Sequence, residues 1–183
     1  MKLNLGCGQQ RLAGYVNVDK YGSPDLRHDL EVFPWPCPDS SIEEVLLHHV
    51  LEHLGQSPQV FIGVIKELYR VCKPGTLLRI AVPYPRHDHF LADPTHVRPI
   101  SADVFYLFSR KLNLEWQTMG LANSPLALHH GVDFEVIEHV FILEEKYRAA
   151  LAAGEINQPA LDALIIERNN VVREIQLTVR VIK

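Results

Sequence analysis

The sequence predicts an α/β protein whose sheet is mostly parallel and ends in an antiparallel strand pair. Three observations carry that reading. Strand-like runs at about 2–6, 14–18, 43–48 and 77–83 alternate with helical or loop segments, the pattern of a parallel sheet. The first run, Leu3-Asn4-Leu5, leads straight into Gly6-Cys7-Gly8, and an acidic residue, Asp19, closes the second run eleven residues later. Near the end of the chain Ile175, Leu177, Val179 and Val181 alternate strictly, as in an antiparallel edge pair with one wet face.

The elements follow in order. The glycine turn after the first run suits close approach of a ligand to backbone, because a side chain at Gly6 or Gly8 would stand in the way. Only residues 9–15 separate this turn from the second run, too few for a crossover helix. Residues 58–72 form the clearest helix, with Val60, Phe61, Val64, Ile65, Leu68 and Val71 on one face. Ser57 is placed to cap it, Pro58 suits its first turn, and Pro74-Gly75 is expected to stop it. A strand is expected over 76–82. Residues 83–100 are rich in proline and histidine, lack periodicity, and form a candidate functional loop. A short helix is expected from Ser101 to Phe108, a strand over 134–143, helices over 144–153 and 159–168, and the alternating strand last. No repeat, low-complexity tract or linker interrupts the chain, so residues 1–183 are expected to form one domain with a helical insertion at about 144–169.

Size and composition narrow the function. A chain of 183 residues buries roughly 70% of its unfolded surface and needs neither disulfide nor metal to fold. The hydrophobic share of 47% and charged share of 22% are those of a soluble globular protein. A net charge of −4 leaves nucleic acid unsupported as a partner. Cys7, Cys37 and Cys72 are odd in number and form no CxxC pair, which points to a reducing compartment. No basic-then-apolar leader and no apolar run near ~18 residues is seen, so a cytoplasmic protein without a membrane partner is expected.

A glycine turn beyond one strand and a carboxylate ending the next outline a nucleotide-type cofactor site. In an open parallel sheet such ligands lie beyond the carboxyl ends of the strands, where strand order reverses. Asp19 is placed there to accept two hydrogen bonds from ribose hydroxyls. A nicotinamide site is disfavoured, because it expects Gly-x-Gly-x-x-Gly and a full helix, whereas Arg11 stands at the third glycine position.

Leu3-Asn4-Leu5-Gly6-Cys7-Gly8 followed by Gly14-Tyr15-Val16-Asn17-Val18-Asp19 resembles the opening of class I S-adenosylmethionine-dependent methyltransferases, in particular the compact bacterial type. Asp29-Leu30, the run His48 to Leu54, and Leu68-Tyr69-Arg70-Val71-Cys72-Lys73-Pro74-Gly75 continue the resemblance in order, over residues 2–83. It implies a Rossmann-like fold and S-adenosyl-L-methionine as cofactor. It also implies that Gly6 and Gly8 contact the methionine portion, with the backbone amide of Cys7 mattering rather than its thiol. Asp19 would hold the ribose, Lys20 would lie beside the adenine, Asp29 would face the adenine amino group and Leu30 its ring. His48 would line the methionine end. Asn4 departs from the family, which usually has an acid near this position. The family also usually places one or two helices before the first strand as a cap, a role left here to 84–130 or to another subunit.

The histidines offer competing readings. His49-Val50-Leu51-Glu52-His53 matches an inverted zinc-protease signature, but His49 falls at a strand-to-helix turn, and a zinc site needs a third ligand. His53 is expected to pack or cap. In the loop after the fifth strand, Asp93-Pro94-Thr95-His96-Val97-Arg98 resembles a segment of the same compact methyltransferases. His96 or His89 is a candidate general base. Alternatively His87, Asp88, His89, Asp93 and His96 gather a divalent metal, or Asp93 merely caps a local turn. No metal is assigned. The expected activity is methyl transfer to an oxygen or nitrogen nucleophile of a small-molecule acceptor. The competing expectation is an inactive cofactor-binding subunit that docks through 144–169, and the same insertion could build a homodimer.

Overall fold

A computed structural model describes residues 1–183. In chain order it contains β1 (Lys2–Leu5), β2 (Val16–Asp19), a short β3 (Leu26–Arg27), β4 (Ile42–His48), a single 3-10 turn (Leu51–His53), α1 (Pro58–Val71) and β5 (Cys72–Pro83). Four short helices follow: α2 (Asp88–Leu91), α3 (Ala102–Tyr106), α4 (Arg110–Thr118) and α5 (Leu126–His130). The chain ends with β6 (Phe134–Leu143), α6 (Glu145–Ala152), α7 (Gln158–Glu167) and β7 (Val172–Val181).

The seven strands form one sheet in the order β3-β2-β1-β4-β5-β7-β6. The first five are parallel, and β7 runs antiparallel to both neighbours. Strand order reverses between β1 and β4, so the crevice beyond their carboxyl ends is the ligand position for this topology. β6 is the edge strand, and β7 lies inside the sheet. Its alternation survives because the second face of β7 itself, with Glu174, Gln176, Thr178 and Arg180, is left half-buried or exposed.

Strand parity explains the buried face. Leu3, Val45, Leu78 and Val179 share one register row, and Leu5, Leu47, Ile80 and Leu177 the next; all are buried. Phe61, Val64, Ile65, Leu68 and Val71 of α1 and Phe105 of α3 join them in one core cluster. Each such side chain contributes roughly 1.5–3 kcal/mol on burial. Ser57 caps α1 by accepting the Val60 amide. The helix ends at Val71, before the Pro74-Gly75 stop expected from the sequence. Lys73, the residue before a proline, is biased to extended geometry, and Pro74-Gly75 instead sits in a register shift inside β5, where Gly75 has φ +81. α4 and α5 were not legible as helices: each is short, and each has one fully buried residue, Asn113 and Ala127.

The opposite face carries charge. Glu44 on β4 takes Lys2 at 2.7 Å, Arg79 at 2.9 Å and the Tyr15 hydroxyl at 2.9 Å. Lys2 first, then Arg79, hold the Glu44 carboxyl down to about 2. A depressed carboxylate stabilises the fold above its ordinary value of 4.5, and that contribution disappears as pH falls toward 2. Because Lys2 and Arg79 are half exposed, its worth is on the order of 1–2 kcal/mol. Urea midpoints measured at pH 7 and pH 2.5 are therefore expected to fall less for Glu44→Gln than for the unaltered protein. An equal fall in both would remove Glu44 from the acid response.

Candidate functional site

The turn after β1 is shaped by backbone. Gly6 has φ +62, and a Cβ there would stand 2.5 Å from Val50 Cγ2, so only glycine fits. Gly8 has φ +51 and open space around it. Its amide donates to Asp19 Oδ2 at 2.8 Å, and the Tyr21 amide donates to Asp19 Oδ1 at 2.8 Å. Asp19 thus ties the glycine turn to the end of β2, and each oxygen keeps acceptor capacity for a ligand.

The short 9–15 connection is held by amide side chains where a helix would otherwise satisfy its backbone. Asn4 Nδ2 donates to the Gln10 carbonyl and to Asn17 Oδ1, both at 2.9 Å. Asn17 Oδ1 accepts the Leu12 amide, while its Nδ2 donates to Leu12 and Tyr15 carbonyls. Asp25 accepts the Asn17 amide and side chain, and the backbone donor does most to hold its carboxyl below the ordinary range. Asn4 is therefore a buried structural residue beneath the turn, 5% exposed.

A cavity of about 200 Å³ lies beyond β1 and β2. Of the residues assigned to a cofactor from the sequence, Gly6, Asp19, Lys20, Asp29 and Leu30 line it. Lys20 Nζ stands 3.6 Å from Asp29 Oδ2 across its mouth. Gly8 reaches it only through Asp19. Cys7 donates its amide to the Val18 carbonyl at 3.1 Å, and its buried thiol is pushed up by burial above all. His48 is outside it. As the last residue of β4 it pairs with Ala81, in the row of Gln176 on the face away from the core. His49, the next residue, lines the cavity instead. With φ +54 it leaves the strand in a left-handed turn, its amide on the Ala81 carbonyl at 2.8 Å. Tyr21, His28, Val50, His53 and Leu54 complete the cavity wall.

His49 also lines a second cavity, of about 380 Å³, with Pro83, His89, His96, Arg173 and Glu174. Apart from Pro83 every side chain there is polar. His49 Nε2 is 3.0 Å from Glu174 Oε2, and Nδ1 is 3.4 Å from Glu52 Oε1. The second contact lacks hydrogen-bond alignment, since neither Glu52 oxygen has a hydrogen-bond partner, so it acts by charge attraction. Glu52 first, and Glu174 after it, raise the imidazole pKa above its ordinary value, opposed by partial burial. His96, whose Nδ1 bonds the Phe90 carbonyl at 2.9 Å, stacks on the Phe90 ring. His89 lies edge-on to His87, and its amide donates to His87 Nδ1.

The five-residue metal set considered for this loop is not gathered. His87 Nε2 bonds Glu144, and Asp88 pairs with Asn170, both turned toward the insertion between β6 and β7. His49 and His53 do not share a helix face either, because the turn between them covers only Leu51–His53. Asp93 does close a local turn. It accepts the Thr95 hydroxyl and amide, which in that order hold its carboxyl below the usual range. Arg173 and Glu174 carried no sequence signal for a site, and Glu52 carried one only as part of the inverted zinc-protease match. The first two sit at the start of an ordinary alternating strand, and Glu52 is buried in the turn Leu51–His53.

A scan against protein-family models and a search of curated proteins find no match. Solved structures do match over nearly the whole chain. An S-adenosylmethionine-dependent methyltransferase from Archaeoglobus fulgidus superposes with a TM-score of 0.59 at 17% identity, over 98% of this chain and 85% of its own. A putative S-adenosylmethionine-dependent methyltransferase from Listeria monocytogenes gives 0.53 at 12% identity, over 100% and 91%. The 1,6-didemethyltoxoflavin-N1-methyltransferase of Burkholderia thailandensis, solved with 1,6-didemethyltoxoflavin and S-adenosylhomocysteine, gives 0.52 at 10% identity, over 100% and 71%. The strand order, the antiparallel β7 and these superpositions define the fold as the Rossmann-like fold of class I S-adenosylmethionine-dependent methyltransferases. No helix is long and apolar enough to cross a membrane.

Proposed function

We propose that this protein transfers the methyl group of S-adenosyl-L-methionine to an oxygen or nitrogen nucleophile of a small, polar acceptor. The carrying observation is that two cavities meet at one histidine: His49 lines both the Asp19 cavity and the polar cavity beside it. The Asp19 side fits a nucleoside, since its carboxylate keeps lone pairs toward the cavity and the neighbouring Gly8 backbone is unobstructed. Lys20, Asp29 and Leu30 line the same cavity, where the resemblance implies that they would surround the base. The cofactor, when bound, supplies an activated methyl on a sulfonium that is already a good leaving group. The residues of this chain align the acceptor and exclude water.

His49, whose Nε2–H is given to Glu174, accepts at Nδ1 the proton that the nucleophile releases. The imidazolium that forms lies between Glu52 and Glu174, which both favour its charge. His89 and His96 line only the polar cavity, and we assign them to its acceptor side. The cavity volume of about 380 Å³ suits a metabolite rather than a polymer. A cytoplasmic setting agrees with three free, buried thiols. Calorimetric titration with S-adenosylmethionine, S-adenosylhomocysteine and NAD tests the reading. Binding of the first two and not of NAD is expected; binding of NAD alone, or of none, overturns it.

A further inference from the structure

Two histidine-bearing motifs far apart in the chain are joined in the structure. The Val97 and Arg98 amides both donate to the backbone carbonyl of Glu52, at 2.8 and 3.3 Å. That contact lays the 93–98 loop against the turn Leu51–His53. One ligand atom from each of Glu52, His53 and His96 then falls within 4.8 Å of the others.

The hydrogen bonds around this cluster fix what its members present. Thr95 gives its hydroxyl proton to Asp93 Oδ1 at 2.6 Å, so Thr95 Oγ1 accepts from His53 Nδ1 at 2.9 Å. The Phe90 carbonyl can only accept, so His96 Nδ1 carries a proton toward it at 2.9 Å. With Nδ1 donating in both rings, Nε2 is the nitrogen available to a ligand, and in His96 it stands 3.9 Å from Asp93 Oδ2. Glu52 is 1% exposed, and neither of its carboxylate oxygens has a hydrogen-bond partner. A buried carboxylate thus shares a corner with two half-buried imidazoles, its one charged neighbour being His49 Nδ1 at 3.4 Å without hydrogen-bond alignment, and a cation there would supply the partner that both Glu52 oxygens lack.

We propose that Glu52, His53 and His96 bind one divalent transition-metal ion, of the Zn²⁺ type, between the two cavities. Two imidazoles and one carboxylate are a zinc-type donor set that leaves coordination positions open, whereas Mg²⁺ and Ca²⁺ favour all-oxygen sets. The Thr95–Asp93 pair and the Phe90 carbonyl supply the outer hydrogen bonds that orient ligating histidines and select the metal-binding nitrogen. His53 faces the Asp19 cavity and His96 the polar one, so an open position would be offered to an oxygen or nitrogen donor. Nothing in this assignment depends on methyl transfer. The rival occupant is a proton on one of the imidazoles, shared with Glu52.

The test uses chelator-treated full-length protein without cofactor, titrated with Zn²⁺ by calorimetry and with Co²⁺ by visible absorption. One ion per chain is expected, with a rise in melting temperature and a Co²⁺ d–d band. Glu52→Gln and His96→Ala are each expected to weaken Zn²⁺ binding by about 100-fold or more, at least the loss seen when outer-shell partners are removed. His139→Ala, on the edge strand, should leave it unchanged. Glu52→Gln also controls for folding: its amide can donate to the free Nε2 atoms, so the metal-free variant should melt no lower than the metal-free parent. Absence of Zn²⁺ and Co²⁺ binding at millimolar concentration overturns the site in favour of the shared proton. Undiminished binding in folded Glu52→Gln and His96→Ala overturns it equally.

Discussion

Asp19→Ala is expected to abolish measurable S-adenosylmethionine binding in calorimetry. Two losses combine. The carboxylate would no longer accept ribose hydroxyls, and hydrogen bonds to a charged group contribute about 1.5–3 kcal/mol each. Two of them amount to a weakening of roughly 10²–10⁴-fold. The variant also releases the Gly8 and Tyr21 amides, which Asp19 holds at 2.8 Å, so the turn itself loses its tie to β2. Asp19→Asn separates the two effects. Its side-chain oxygen can still accept one amide, and a dissociation constant between those of the parent and the alanine variant is expected. An unchanged constant in folded Asp19→Ala would remove the acid at β2 from cofactor binding and leave the crevice without its main polar anchor.

His49→Asn should lose turnover by about 10²–10⁴-fold, the usual contribution of a positioned acid or base, while cofactor affinity stays within a few-fold. Asparagine is the suitable replacement because φ is +54 at this position, and asparagine tolerates the left-handed region better than alanine. The variant therefore keeps the chain path and removes only the imidazole. Added imidazole in the assay buffer is expected to restore part of the rate, which a purely structural role would not allow. Full activity in His49→Asn would place the proton elsewhere on the rim, or show that the acceptor is an amine needing no base. Glu174→Gln is expected to show a smaller loss of rate, since Glu174 orients His49 from 3.0 Å and stabilises its charged form.

Much of the cofactor side was legible because its elements are local. Gly6, Gly8 and Asp19 belong to adjacent strands and one turn, and their spacing alone places them on a common rim. Helix α1 was equally plain, with its cap at Ser57 and one apolar face. The histidine side was harder. His48 and His49 are neighbours of the same type, and continuing the strand alternation cannot tell which one the chain turns inward. The left-handed turn after β4 decides that, held by the Ala81 carbonyl and allowed by glycine at position 6 beneath Val50. Pro74-Gly75 misled in the same way, since a helix stop and a strand bulge share residue preferences.

By itself the sequence determined the strand–glycine turn–strand–acid order, the capped helix before β5 and the mostly parallel sheet, because each rests on propensities acting over a few residues. Only the tertiary structure decided which side chains meet. Antiparallel β7 returns at the end of the chain to set Glu174 opposite Pro83 and beside His49, 125 residues away. The loop carrying His96 settles on Glu52 through backbone hydrogen bonds that any sequence could make. Such long-range pairings depend on sheet register and loop closure, and neither leaves a mark in local composition.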